Sequence, residues 1–230
     1  MTKNNTAKPD FSIKSYLLPK IAPEGVEIFA IAVVSALLLS LLSNGLGMIA
    51  FAFAICSYYF FRDPERYTPD TKGAVISPAD GRVLFVKKAD YPKELGVKGE
   101  AVKISIFMSV FDVHVNRNPV SGKVAKVVYV PGKFIHANLD KASEDNERSL
   151  TLIDADGGDK VAYVQIAGLV ARRIVNNLKE GAKVETGDRF GLIKFGSRLD
   201  VYLPAGKYDV KVMAGQKMVA GETILATRKK

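Results

Sequence analysis

Phe195-Gly196-Ser197-Arg198 lies near the carboxyl end, between two alternating apolar stretches, Arg189 to Phe195 and Arg198 to Leu203. Glycine has no Cβ, so the bond before Ser197 can take conformations closed to other residues and leave its carbonyl open to attack. The pair thus holds what a chain needs to turn its own serine into a pyruvoyl electrophile. A Gly-Ser pair between strands is also an ordinary turn, so its company decides. A hydroxyl is a weak nucleophile at its free pKa and needs a base, which needs an orienting group. His114, in a chain with two histidines, and Asp80, in Ser77-Pro78-Ala79-Asp80-Gly81, are the economical candidates. Attack of Ser197 on the Gly196 carbonyl would give an ester. β-Elimination would release dehydroalanine, and its hydrolysis would leave pyruvoyl.

Blander roles stand beside these. Histidine is more often a hydrogen-bonded structural residue, and Asp before Gly is ordinarily a turn-former. His136 sits near Lys133 in a polar loop and reads as a surface residue or a headgroup contact. Arg117, Arg172, Arg173 and Arg198 suit a phosphodiester or a departing carboxylate, because guanidinium matches planar anions. Cys56 is the only cysteine. It falls in an apolar run, so neither a disulfide framework nor a thiolate metal site is expected.

The elements that must position these residues follow from charge and periodicity. Between Glu27 and Arg62 lie 34 residues without a charge, and no short apolar region with a small-residue cleavage site precedes them. Residues 28–61 therefore read as a retained membrane segment, too long for one crossing and tight for two. Ser43-Asn44-Gly45 divides it almost evenly, which predicts a transmembrane helical hairpin with both flanks on one side. Lys3, Lys8, Lys14 and Lys20 precede it, and Arg62, Arg66 and Lys72 follow. The positive-inside tendency makes that side the cytoplasmic face of the cell membrane. Residues 1–27 are then a cytoplasmic segment, residues 62–73, with Pro64 and Pro69, a linker, and residues 74–230 the catalytic domain. A buried helix pair in a soluble protein is the alternative. The net charge of +9 suits anionic lipid headgroups. Nucleic acid is disfavoured, since the lysines are scattered among acids and form no basic stripe interleaved with aromatics.

Beyond the linker the pattern is β. Val102, Ile104, Ile106 and Met108 alternate with Lys103, Ser105 and Phe107, and Leu199, Val201 and Leu203 alternate with Arg198, Asp200 and Tyr202. Only Leu169 to Leu178 reads as helical, with Val170, Ile174 and Leu178 four apart. Two echoes suggest pseudo-symmetry: Pro78-Ala79-Asp80-Gly81-Arg82-Val83 with Pro119-Val120-Ser121-Gly122-Lys123-Val124, and Gly181 to Asp188 with Gly215 to Glu222. Convergent turn chemistry gives similar stretches without duplication. The expected fold is mainly β, a lipoyl-carrier-like sandwich or flattened barrel with few helices. Ala89 to Glu100 and Lys133 to Arg148 read as long polar loops with few apolar anchors.

Five stretches taken together carry a resemblance: Phe60-Phe61-Arg62-Asp63-Pro64, Ser77-Pro78-Ala79-Asp80-Gly81, Val113-His114-Val115-Asn116-Arg117-Asn118-Pro119, Tyr129-Val130-Pro131-Gly132 and Phe195-Gly196-Ser197-Arg198. The ordered set resembles the phosphatidylserine decarboxylase family in its compact bacterial or archaeal form, from about Phe60 to the end. The resemblance implies self-cleavage between Gly196 and Ser197, giving a β chain of residues 1–196 and an α chain of residues 197–230 that begins with the pyruvoyl group. Asp80, His114 and Ser197 match the family's self-processing triad. It further implies decarboxylation of phosphatidylserine in an anionic membrane through a Schiff base with that group, giving phosphatidylethanolamine and carbon dioxide without metal or pyridoxal phosphate. Arg198 and Arg117 are its candidate substrate contacts. Longer members carry a second histidine where this chain has Phe111, and threonine where it has Arg198. The first departure leaves open which group handles protons during decarboxylation. Acyl-chain preference is not set, and a homo-oligomer is compatible with the sequence. The competing readings are a membrane-anchored, non-catalytic β adaptor and a pyruvoyl decarboxylase of another amine-bearing substrate.

Overall fold

The computed structural model describes residues 18–132, 145–168, 173–194 and 197–229. The chain divides into two compact units, residues 1–67 and 68–230. In the first, helix α1 (Pro23–Leu42) and helix α2 (Asn44–Phe60) are separated by Ser43, whose backbone is extended. The expected hairpin tip is therefore present, and α1 is long and apolar enough by length and composition to cross a membrane. Gly25, Ala32 and Ala36 of α1 and Gly47, Ala54 and Ser57 of α2 are buried, while Leu37, Leu41, Phe51 and Phe53 are exposed. Small residues let two backbones approach, and the large apolar ones are left on the outside. A Cβ on Gly47 would sit 2.6 Å from Ser40 Cβ, so the approach itself requires glycine there. Strand β1 (Lys20–Ile21) pairs with β2 (Arg62–Asp63) beside the hairpin.

The second unit is mainly β. Its central sheet has eight strands, flanked by two three-stranded sheets. In chain order the strands are β3 (Ala74–Ile76), β4 (Gly81–Asp90), β5 (Glu100–Met108), β6 (Val115–Arg117), β7 (Gly122–Val130), β8 (Arg148–Ala155), β9 (Lys160–Ala167), β10 (Arg173–Asn176), β11 (Lys183–Val184), β12 (Arg189–Lys194), β13 (Ser197–Pro204), β14 (Tyr208–Val210), β15 (Lys217–Met218) and β16 (Ile224–Arg228). The central sheet runs β11-β7-β8-β9-β13-β5-β4-β15 and curls into a half-barrel. One face carries the main core, with Ile104, Ile106, Met108, Tyr163, Leu199 and Val201. The sheet β10-β12-β6 contributes Phe190 and Ile193 to it. The reverse face carries a smaller cluster built on Leu150, Val164, Ile166 and Tyr202.

The strand order is symmetric about its middle, and the sequence echoes account for it. Lys217 and Met218 pair with Arg82 and Gly81, while Lys183 and Val184 pair with Lys123 and Gly122. The turns match as well: Gly221 N–H donates to Ser77 O and Gly187 N–H to Asn118 O, both at 2.8 Å. Gly215 N–H donates to Val83 O and Gly181 N–H to Val124 O, again at 2.8 Å. The two echoes are thus partners of one another, one forming a long strand's start and the other the short strand that edges it.

Two expectations are corrected. Arg173 to Asn176 is strand β10, paired with β12 from Arg173↔Lys194 to Asn176↔Gly191, where a helix was expected; residues 169–172 lie outside the described residues. Apolar residues four apart satisfy a two-residue period as well as a helical one, and pairing with β12 selects the strand. The stretch from Ala89 to Glu100 is also better anchored than its polarity suggested. Strand β4 runs to Asp90, a 3-10 turn covers Lys93–Leu95, and Tyr91 and Leu95 are buried in the reverse-face cluster. Of the other long loop, residues 133–144 with His136 lie outside the described residues.

Gly122 holds φ at +157°, and a Cβ there would collide with the carbonyl oxygen of Asp154 across the ladder. We expect Gly122→Ala to cost about 2 kcal/mol or more, read as a lowered thermal midpoint of the detergent-solubilised protein. An unchanged midpoint would contradict the close approach.

Candidate active site

Ser197 opens the central strand of the half-barrel. It pairs with Met108 of β5 on one side and Ala167 of β9 on the other. Side chains alternate along a strand, so Ser197, Leu199 and Val201 face the main core, while Arg198, Asp200 and Tyr202 face the reverse side. Ser197 is fully buried, and its Oγ has no hydrogen-bond partner among the described residues. Gly196 and Phe195 lie outside the described residues.

Asp80 stands immediately before β4. Gly81 packs so closely on β5 that a Cβ would collide with the carbonyl oxygen of Phe107. Met108 is therefore flanked by Gly81 on one side and Ser197 on the other, a backbone separation of about two strand spacings, roughly 10 Å. The Asp80 carboxylate accepts a hydrogen bond from Ala220 N–H at 2.7 Å. Its symmetry mate is Ser121, whose Oγ accepts from Thr186 N–H at 2.8 Å. A hydroxyl thus suffices for the turn at one site, while a carboxyl group stands at the other.

His114 leads into β6, and Arg117 N–H of that strand donates to Pro78 O at 3.0 Å, which ties it to the Asp80 turn. The imidazole is fully buried, and Nδ1 lies 2.9 Å from the carbonyl oxygen of Asp112. A carbonyl can only accept, so Nδ1 carries hydrogen and Nε2 is the basic nitrogen of the neutral ring. Around these residues lies a buried polar layer that sequence reasoning missed. Asn116 Nδ2 donates to Met108 Sδ at 3.7 Å, Gln165 Nε2 donates to Asn116 Oδ1 at 2.9 Å, and Tyr163 Oη donates to Asn118 Oδ1 at 2.8 Å. The available signal was a glutamine and a tyrosine within the otherwise apolar run Val161 to Ala167.

Ser197 and the Asp80 turn thus lie on either side of Met108, with His114 leading into the strand tied to that turn, whereas the guanidinium groups of Arg198 and Arg117 are engaged elsewhere. Arg198 is turned to the reverse face, is fully buried, and grips Asp200 through Nε (2.6 Å) and the second guanidinium nitrogen (2.7 Å). Lys103 Nζ is 3.0 Å from the same carboxylate. Burial pushes the Asp200 carboxyl up, and the hydrogen bonds and charge of Arg198, with Lys103, more than offset it and hold it below the usual carboxylate range. Burial likewise lowers Lys103, with Asp200 opposing. Arg117 reaches the Gly187 carbonyl at 3.2 Å; Arg172 lies outside the described residues. Two surface cavities, about 420 and 630 Å³, are lined by none of Ser197, His114 and Asp80. Among the described residues no group of three or more His, Cys, Asp or Glu side chains could hold a metal ion.

Comparison with known proteins agrees with the resemblance. The family model described as phosphatidylserine decarboxylase matches residues 53–226. A phosphatidylserine decarboxylase proenzyme of Pelagibacter ubique is 49% identical over 213 residues, covering 92% of this chain and 98% of that protein. The protein of the same name from Ruegeria pomeroyi is 50% identical over 215 residues, covering 93% and 98%. That of Azorhizobium caulinodans is 53% identical over 216 residues, covering 94% and 91%.

Removing Asp200 strands two buried cations. Asp200→Ala should cost about 3–5 kcal/mol, whereas Arg198→Met and Lys103→Met combined with Asp200→Leu, which removes all three charges, should cost far less. The pH dependence has a definite sign. Because the folded carboxyl is held low, its contribution is complete above the unfolded value of about 3.9 and is lost as pH falls through the folded value. Thermal melts of both variants between neutral and acid pH check this, and equal losses in the two would contradict the assignment.

Proposed function

The chain belongs to the phosphatidylserine decarboxylase family, and on that premise we propose that it is a proenzyme which cleaves itself between Gly196 and Ser197. The mature form then converts phosphatidylserine to phosphatidylethanolamine and carbon dioxide. The observation that carries this reading is the Ser197 hydroxyl, buried and without a hydrogen-bond partner among the described residues. Such a group costs about 1–3 kcal/mol, and the proposed reaction removes it. Oγ attacks the Gly196 carbonyl carbon, the peptide C–N bond breaks, and an ester forms with a free amine at residue 197. Loss of the Cα proton and cleavage of the Cβ–Oγ bond leave Oγ in the new carboxylate of Gly196. Water then replaces ammonia at the Cα of residue 197. What remains there is a methyl group beside a ketone, and the apolar surroundings of Met108 and Ala167 suit it.

The buried Nε2 of His114 is the base for the Ser197 proton, and the Asp112 carbonyl holds the tautomer that leaves it basic. Asp80 supplies the negative charge that favours the imidazolium formed. Once made, the ketone is an electrophile that condenses with a primary amine and takes up the electron pair left when carbon dioxide departs. His114 and Ser197 are fully buried, and a water-poor site favours a step in which a carboxylate loses its charge. In the mature enzyme His114 also delivers the proton that replaces the carboxylate. The α chain, residues 197–230, stays with the β chain, residues 1–196. On this reading the apolar α1 and α2 keep the domain at the membrane, and the basic flanks Lys20, Arg62, Arg66 and Lys72 support the cytoplasmic leaflet through the positive-inside tendency.

Three outcomes are expected. Ser197→Ala should run as one band on a denaturing gel and release no carbon dioxide from phosphatidylserine. Asp80→Ser, which copies Ser121 and keeps a hydroxyl for the turn, should melt within a few degrees of the native protein yet process about 100-fold more slowly or worse. Headspace carbon dioxide should come from phosphatidylserine and not from free serine or aspartate. Processing of Asp80→Ser at the native rate would remove the carboxylate from its role.

A further inference from the structure

We propose that the turn Ser109 to Asp112 is an interfacial wedge that seats the Ser197 end of the β unit on an anionic bilayer. The inference rests on the lipid substrate argued above and adds the surface by which that lipid is met. Phe111 is 83% exposed and Val110 47% exposed, although both lie within a few residues of buried Met108 and His114. Phe111 is the most exposed large apolar side chain among the described residues of the β unit. The turn holds them out. Asp112 N–H donates to Ser109 O at 3.0 Å, and the Asp112 carboxylate accepts from Ser109 N–H at 2.8 Å and from Ser109 Oγ at 2.7 Å.

The charges on either side complete the pattern. Arg82 pairs with Phe107 and Lys217 pairs with Arg82, so both cations stand beside the strand end from which the turn springs. On the other side Ile193 N–H donates to His114 O at 3.4 Å, and Lys194 follows, paired with Arg173. Arg82, Lys217 and Arg173 are exposed and Lys194 is half-buried. The nearby acids are engaged, Asp112 by Ser109 and Asp80 by Ala220 N–H. An apolar tip between basic residues is how a protein binds a lipid interface, by shallow insertion plus attraction to anionic headgroups. A protein partner is disfavoured, because two side chains offer far less than the roughly 800 Å² per partner of a stable interface. Insertion at this turn would bring headgroups to the same end of the core as Ser197, whose strand neighbour Met108 immediately precedes Ser109.

The test uses the full chain with Cys56→Ser and a single new cysteine carrying an environment-sensitive fluorophore. Phe111→Cys is the probe, and Asp156→Cys, in the β8–β9 turn at the other end of the sheet, is the control. Reconstituted into phosphatidylcholine vesicles containing phosphatidylglycerol, the label at 111 should shift to the blue and be quenched by doxyl-labelled lipid. The effect should weaken in pure phosphatidylcholine, and the label at 156 should show neither change. Water-like emission at 111 without lipid quenching overturns the proposal. So does a shift that grows with protein concentration but is not quenched by lipid, which assigns the turn to a second copy of the chain. As a second reading, Phe111→Ser should lower the ratio of rates on vesicle and on soluble short-chain phosphatidylserine about tenfold, and an unchanged ratio counts against the wedge. If the native enzyme turns over neither substrate, the catalytic reading fails, while the fluorescence still decides the docking.

Discussion

Strand β13 is the constraint on which the rest depends. It is paired along nearly its whole length with β5 on one edge and β9 on the other, from Ser197 onward. A residue held on both sides cannot drift, so Ser197 itself is fixed by the sheet. The same pairing matters after scission in the proposed reaction. Residues 197–230 would then be held without a covalent link to the rest, by β13 in the central sheet, β15 on β4 and β16 on β3. Buried Asp159 adds ion pairs to Lys207 and Arg228 from the same segment. The proposed cut would remove one bond from a network that already holds β13, β15 and β16 in place.

The pseudo-symmetry explains how a small β unit acquires a polar site without losing its core. Each half spends its glycine turn on the same backbone hydrogen bonds, and at the equivalent positions 80 and 121 both side chains accept from the facing strand. One half keeps a serine, and the other carries an acid. The turn accounts for an acceptor at position 80 but not for a charge. On the reverse face, Arg198, Asp200 and Lys103 form a second polar group directly behind Ser197, separated from it only by the backbone of β13. Alternation along one strand therefore places a buried hydroxyl on one side and an ionic anchor on the other.

Much of this architecture was legible in the residues. The uncharged run with a polar break at Ser43 anticipated two helices, and alternation over Val102 to Met108 and Leu199 to Leu203 anticipated β5 and β13. The glycine echoes pointed to symmetry without revealing that each echo is the other's hydrogen-bonding partner, because pairing is a long-range property that spacing alone does not carry. The segment around Ile174 was misread since a four-residue spacing fits two periods. Arg198 was read as a contact for an anion of the substrate, and the structure gives its guanidinium to Asp200. The acid sat two residues away in a strand, where both side chains fall on one face, and that signal was available. Gln165 and Asn116 were harder to find, since a single polar residue in an apolar run reads as an interruption until its partner on another strand is known.

The central claim is that Ser197 is made into a ketone by breaking the bond that precedes it. The most direct measurement is the intact mass of the full-length, membrane-extracted protein under denaturing conditions, taken on material that releases carbon dioxide from phosphatidylserine. The account predicts two polypeptides, residues 1–196 ending in a free carboxylate and residues 197–230 lighter by one ammonia than the same peptide with an amino-terminal serine. A single mass equal to the whole chain, in material that is active, would contradict it.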